Sequence, residues 1–378
     1  MVRPNDYFLI ASPAPEHRKS SFPLRRPASN ARCIACFQYI PQPPLRAFLQ
    51  PHNRRCEFTA PGGIIPAMKE NDILDWIARN AKHYPAVHIG VGDDMAAINL
   101  PGGDFSHLAL LKIDQALDQL HFDLRQHAPD AAGKKAVNRC LSDCAAMACT
   151  PAAILISVAL PKSADTAMMR DLFNGCQMAA AAFNCPIVGG DTAVWNQRLA
   201  ITVAALGISS RPPIRRSGAK AGDALCVTGK LGGSILGRHM DFTPRIALSE
   251  RLAGAITIHA MMDISDGLAM DLPRMMTASA TGAAIDASWI PIHEDARLLQ
   301  QRDQKSALHH ALCDGEDYEL LFAADSDDAR KLAHFDVDIP ITIIGRVTAA
   351  PGELTLTDQQ GIKQSWPEGG WEYSGGDA

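Results

Sequence analysis

Apolar and polar positions change period several times along this chain of 378 residues. The runs Leu-Ala-Leu-Leu-Lys-Ile at 108–113 and Ala-Ile-Leu-Ile-Ser-Val-Ala-Leu at 153–160 are short, apolar and bounded by polar residues or proline, which predicts strands. Residues 136–149, rich in alanine, predict a helix between them, and 165–183 predict a second helix after the second strand. The alternation continues with strands expected at 200–207, 225–229, 319–323 and 341–347, and helices at 249–259 and 267–280. A further amphipathic helix is expected just after Met68, where Asn71 or Asp72 serves as its cap and Ile73, Leu74, Trp76 and Ile77 form its apolar stripe. Pro212, Pro213 and Gly218 punctuate residues 211–222, so two domains are expected, 68–210 and 211–378. No repeat of 20–50 residues is visible, and the class is α+β.

The first 67 residues break this pattern. They carry 11 of the 25 prolines and nine Lys/Arg against three acids, a local charge of +6 that leaves −11 for the rest of the chain. With no sustained periodicity, this stretch is expected to be an irregular basic extension. A disordered tail, a basic interaction arm and sequence upstream of a true start at Met68 are three ways to account for it, and the last is preferred. The segment lacks the apolar core and small-residue cleavage site of a secretory signal. Composition bounds the remainder: 47% hydrophobic and 20% charged residues suit a globular protein with a sizeable core. Apolar stretches end well short of the ~20 residues of a membrane span, so no membrane association is expected. A net charge of −5 speaks against a nucleic-acid partner. Ten cysteines at scattered spacings form neither a disulfide framework nor a paired zinc motif, which fits the cytoplasm.

Chemistry enters through the aspartates. They recur in small or hydroxyl-rich settings: Gly90-Val-Gly-Asp-Asp94, Lys112-Ile-Asp114, Leu141-Ser-Asp143, Gly189-Gly-Asp-Thr192 and Asp263-Ile-Ser-Asp-Gly267. One Gly-Asp pair is ordinarily a turn. Five such settings together suit a hard cation such as Mg²⁺, which takes oxygen ligands from carboxylates, water and phosphate. The familiar nucleotide motifs do not apply. Gly229-Lys230 fails as a P-loop because Ala224 stands at the earlier glycine position and Leu231 follows the lysine. The turn Gly229–Ser234 retains backbone N–H groups that phosphate could use. Neither the protein-kinase set nor a GxSxG elbow is present.

These motifs, with Asp114 followed by Leu117 and His121-Phe122, Leu141-Ser-Asp-Cys-Ala-Ala-Met147, Arg216-Ser-Gly-Ala-Lys-Ala-Gly-Asp223, Pro244-Arg245 and Gly315-Glu-Asp-Tyr-Glu319, stand in the order found in the thiamine-monophosphate kinase family. The chain resembles that family over residues 69 to 373. The resemblance implies an aminoimidazole ribonucleotide synthetase-like fold, with an N-terminal α/β domain whose strands form a barrel across a homodimer, then an α+β domain. It implies magnesium ligands at Asp94, Asp114, Asp143, Asp191, Asp263 and Asp266, and ATP contacts at Gly190, Asp191, Arg216, Ser265 and the ring position Phe173. His121, Glu316 and Trp371 match positions that hold thiamine monophosphate. The implied reaction transfers a phosphoryl group from ATP to thiamine monophosphate, in line and with several Mg²⁺ ions. Other ATP-using enzymes of the superfamily, or a non-catalytic nucleotide-binding relative, are the alternatives. The chain departs from the family pattern at Lys112 and Ile113, which replace hydroxyl residues, and at Gln119, Cys140 and Ala148. Strand alternation places Lys112 on the face of Asp114, with Ile113 opposite, so its ammonium is expected beside the carboxylates.

Overall fold

The computed structural model describes residues 70–82, 84–101, 108–335 and 338–370. The extension, Trp371 and the cap of the first helix lie outside the described residues or side chains. Helix α1 (Glu70–Asn80) confirms the helix after Met68, with Leu74, Trp76 and Ile77 exposed. Strands β1 (Val87–Ile89), β2 (Ala96–Asn99) and β3 (Leu108–Leu117) follow, then helix α2 (Pro129–Ala146), strand β4 (Thr150–Pro161), helix α3 (Thr166–Ala181), and strands β5 (Ile187–Trp195) and β6 (Ala200–Ile208). The six strands form one sheet in the order β1-β2-β3-β6-β4-β5, antiparallel except for the β4–β5 pair.

Alternation gives this sheet two unlike faces. On β3, Leu108, Leu110 and Ala116 are buried on the inner face with Lys112 and Asp114 partly buried between them, while Leu111, Ile113 and Gln115 are exposed on the outer face. Helices α2 and α3 pack tightly against each other, and α2 also packs on β3 and β6. Pro129 starts α2, where its missing N–H is no loss, and Asp165 caps α3 by accepting from Met168 N–H at 2.8 Å.

The second half contributes β7 (Ala224–Thr228), α4 (Ile246–Ala255), β8 (Ile258–Ile264), α5 (Leu268–Ser279), β9 (Gly282–Asp286), α6 (Glu294–Asp303), α7 (Ala307–Cys313), β10 (Glu319–Ala324), α8 (Ser326–Ala329), β11 (Ile341–Thr348), β12 (Leu354–Thr357) and β13 (Lys363–Ser365). Its seven strands run β13-β12-β9-β11-β7-β10-β8, with β9 and β12 the one parallel pair. Strands β7 and β10 are buried along their whole length because both faces are covered. One core joins Leu110, Leu141, Ile154 and Ile201 of the first half to Cys226, Leu320 and Phe322 of the second; the other lies under α5 and α7. The helix expected at 249–259 is corrected: it ends at Ala255, and Ile258 onward pairs with β10 as β8.

Candidate active site

Three carboxylates from distant parts of the chain converge. Asp94 comes from the loop before β2, Asp143 from the last turns of α2, and Asp263 from the C-terminal end of β8; all three are buried, each offering an oxygen within 4.8 Å of the others. Like charges so close and so dry oppose one another. Burial, with Asp94 adding to it, pushes the Asp263 carboxyl up to about 6, and burial also raises Asp143. The cluster therefore resists holding three negative charges unless cations enter.

Protein cations meet part of that need. Arg216 donates through Nε to Asp94 Oδ1 at 2.9 Å, and its guanidinium lies on the same oxygen through a second nitrogen. Lys112 Nζ donates to Asp143 Oδ1 at 2.8 Å, so the lysine stands where strand alternation put it. Burial works against the charge of both groups, but the carboxylates beside them prevail and both are held above their ordinary values. Ser142 Oγ donates to Asp263 Oδ2 at 2.6 Å. Asp94 Oδ2 is buried with no hydrogen-bond partner. A cluster of three buried carboxylates, an all-oxygen donor set with one oxygen left without a partner, fits a hard divalent cation.

Helix α2 organises the surroundings through one stripe. Lys135, Arg139 and Asp143 are spaced by four and share a face. Arg139 reaches Asp114 at 3.3 Å. The fully buried Lys135 donates to Glu316 at 2.9 and 3.0 Å and to the His121 carbonyl. Burial pulls the Lys135 ammonium down to about 8. Glu316 is reached also by the Tyr318 hydroxyl at 3.2 Å, and both residues hold positive φ, +53° and +51°. Backbone held in this sparsely populated region is typical of sites where geometry outweighs local comfort. The Glu316 N–H bonds the Ser265 carbonyl at 2.7 Å, tying this loop to the one after Asp263.

His121 and Glu316 line a cavity of about 290 Å³ together with Leu120, Phe122, Ile235 and His239. Burial, then Arg139 and Lys135 nearby, pull the His121 imidazole down to about 2. It is neutral at ordinary pH, and since Nδ1 accepts from Leu117 N–H at 3.0 Å, the ring proton sits on Nε2.

The structure thus brings together Asp94, Asp143 and Asp263, with Arg216 on them, and pairs His121 with Glu316 at a cavity. Asp114 is held by Arg139, and Asp266 by Arg274, both outside the three-carboxylate group. Gly190 and Asp191 lie on the exposed edge strand β5, and Phe173 is exposed on α3. Of the turn at 229–234 that the sequence offered to phosphate, four N–H groups are already used: Gly229 by the Pro340 carbonyl, Leu231 by that of Pro291, Gly232 by Asp317 at 3.0 Å and Gly233 by Asp314 at 2.9 Å. Sequence reasoning missed Lys135, Arg139, Ser142 and Arg274. The four-residue spacing of Lys135, Arg139 and Asp143 was the signal that could have found two of them.

Comparison with known proteins places these features in a family setting. The model for the N-terminal domain of AIR synthase related protein matches residues 92–209, and that for the C-terminal domain matches 220–356. The curated thiamine-monophosphate kinase of Rhodopirellula baltica is 35% identical over 304 residues, covering 79% of this chain and 96% of that protein. The thiamine-monophosphate kinase of Bacillus subtilis is 29% identical over 305 residues, covering 74% and 91%. A solved structure, AaThiL complexed with AMPPCP and TMP, superposes with a TM-score of 0.69 at 26% identity over 81% of this chain and 97% of that one.

Proposed function

The chain belongs to the thiamine-monophosphate kinase family, and from that premise we propose that it transfers the γ-phosphoryl group of ATP directly to the phosphate of thiamine monophosphate, yielding ADP and thiamine diphosphate. The observation that carries this reading is the buried cluster of Asp94, Asp143 and Asp263 with an orphaned Asp94 oxygen. It lies two helical turns along α2, about 12 Å, from the residue whose ammonium holds Glu316 at the cavity.

Asp94, Asp143 and Asp263 would hold Mg²⁺, with Asp114, Asp191 and Asp266 as further ligands for several ions. Magnesium held there would neutralise charge between ATP and the acceptor phosphate and polarise the transferred group. Arg216 presents a fixed fork of donors, suited to nucleotide phosphate as well as to Asp94. Gly190, Asp191, Ser265 and Phe173 complete the nucleotide side. On the substrate side, Glu316 supplies negative charge toward a cationic thiazolium, His121 a neutral Nε2–H donor, and Trp371 a ring face. The acceptor phosphate is largely ionised at neutral pH, its second pKa being about 6, so no strong general base is needed. Positioning and charge stabilisation carry an in-line transfer without a covalent intermediate.

A homodimer belongs to this reading. The outer face of the first sheet exposes Leu111, Ile113, Leu155 and Ile208, and β5 forms an open edge beside it. A contiguous apolar face beside an open edge suits burial against a second copy. Among the described residues no helix is long and apolar enough to cross a membrane. Seven of the ten cysteines lie among those residues and all seven are free, which suits a reducing compartment such as the cytoplasm.

Turnover decides the matter. Purified chain, ATP, Mg²⁺ and thiamine monophosphate should give ADP and thiamine diphosphate in equal amounts, separated chromatographically. ADP without thiamine diphosphate would refute the acceptor, and neither product would refute the activity.

A further inference from the structure

Resting on that reading, we infer that Lys112 is a resident cation of the carboxylate cluster, standing where a second divalent ion would otherwise be needed. The cluster's oxygens fall into two kinds. Asp143 Oδ1 is occupied by Lys112, Asp94 Oδ1 by Arg216 and Asp263 Oδ2 by Ser142, each a donor from the chain itself. Asp94 Oδ2 is the buried oxygen with no partner. Three carboxylates and two built-in cations leave a formal charge of −1, which one divalent ion more than offsets.

The position of Lys112 is set by the fold. On β3 it shares the inner face with Asp114, while Ile113 points outward and is 67% exposed. Strand β6 pins the register through the pairing of Lys112 with Ala205 and of Asp114 with Val203. A lysine ammonium is a compact charge with three donors, closer to a small ion than the flat guanidinium is. At 2.8 Å it holds Asp143 Oδ1, leaving Oδ2 to the one ion the cluster would take, and its charge repels a second ion placed there. When substrates enter, the same ammonium is placed to contact a phosphate oxygen bridging the cluster.

The test counts metal on the nucleotide-free full chain, using electron paramagnetic resonance of unbound Mn²⁺. Lys112→Met should bind one more Mn²⁺ per chain than wild type, while Lys112→Arg, which keeps the charge, should not. Equal numbers and affinities within twofold across all three would overturn the inference. Thermal melting of wild type supplies a measurement that survives a variant failing to fold. Titrated into chelator-treated wild type, Mn²⁺ should raise the melting midpoint along a one-site saturation curve, and a two-site curve would overturn the inference. Turnover separates the two readings. Wild type that makes thiamine diphosphate while all variants bind equal Mn²⁺ refutes the resident cation alone. An extra ion in Lys112→Met with no turnover in wild type refutes the kinase reading alone.

Discussion

Asp263 accepts a short hydrogen bond from Ser142, yet burial and Asp94 leave its carboxyl at about 6, so its charge works against the fold at neutral pH. Asn in its place keeps an acceptor for Ser142 and removes the repulsion. Asp263→Asn should therefore lower thiamine diphosphate formation at least 100-fold, while its melting temperature in chelator equals or exceeds that of wild type by a few degrees; a large drop in melting temperature would contradict the crowding argument. His121 predicts a pH effect of definite sign. Its folded value of about 2 lies below the ordinary 6.5, so as pH falls through 6.5 the unfolded chain gains a proton that the folded chain refuses. Stability should fall by about 1.4 kcal/mol per unit below pH 6.5 on this account, and urea titrations at pH 7, 6 and 5 should show a shallower slope for His121→Asn. At this scale the sequence was half legible. Asp94, Asp143 and Asp263 stood out because small neighbours flag carboxylates. Lys135 did not, since a lysine inside an alanine-rich helix reads as a solvated face until Glu316, 181 residues away, is seen to hold it.

Helices α2 and α3 meet through glycine. A Cβ on Gly175 would fall 1.9 Å from the Asp130 carbonyl, and one on Gly133 would fall 2.3 Å from that of Leu172. Gly175→Ala must push the helices apart, and α2 carries Asp143, Arg139 and Lys135. A loss of about 2–4 kcal/mol in denaturant unfolding is expected, with activity falling alongside it. Elements with a single strong period, such as β4 and α3, could be read directly from the chain. Strand β5 could not, because Gly189-Gly190-Asp191 reads as a turn; Gly190 is needed there because a Cβ would fall 1.8 Å from the Ile156 carbonyl on β4. Strand β8 was hidden for another reason: it is buried on both faces, lacks alternation, and so looked like more of the helix before it.

For the whole molecule, one expectation concerns residues 1–67 and another the outer face of the first sheet. Removal of residues 1–67 should leave melting temperature and catalytic efficiency unchanged, since their basic, proline-rich composition offers little to a core; a fall of many degrees would assign them a structural role. Ile113→Asp on the exposed outer sheet face should convert the proposed dimer to a monomer in size-exclusion chromatography with light scattering, because it would bury a charge in the proposed apolar interface; an unchanged mass would remove this face from the interface. The core that joins Ile154 and Leu141 to Leu320 and Phe322 also sets an order of events during synthesis. Ile154 leaves the ribosome 168 residues before Phe322, a delay of roughly ten to thirty seconds at ordinary elongation rates. Throughout that interval the inner surface of the first sheet and α2 has no lid, so the nascent chain is a client for chaperones for as long as its second half is being made.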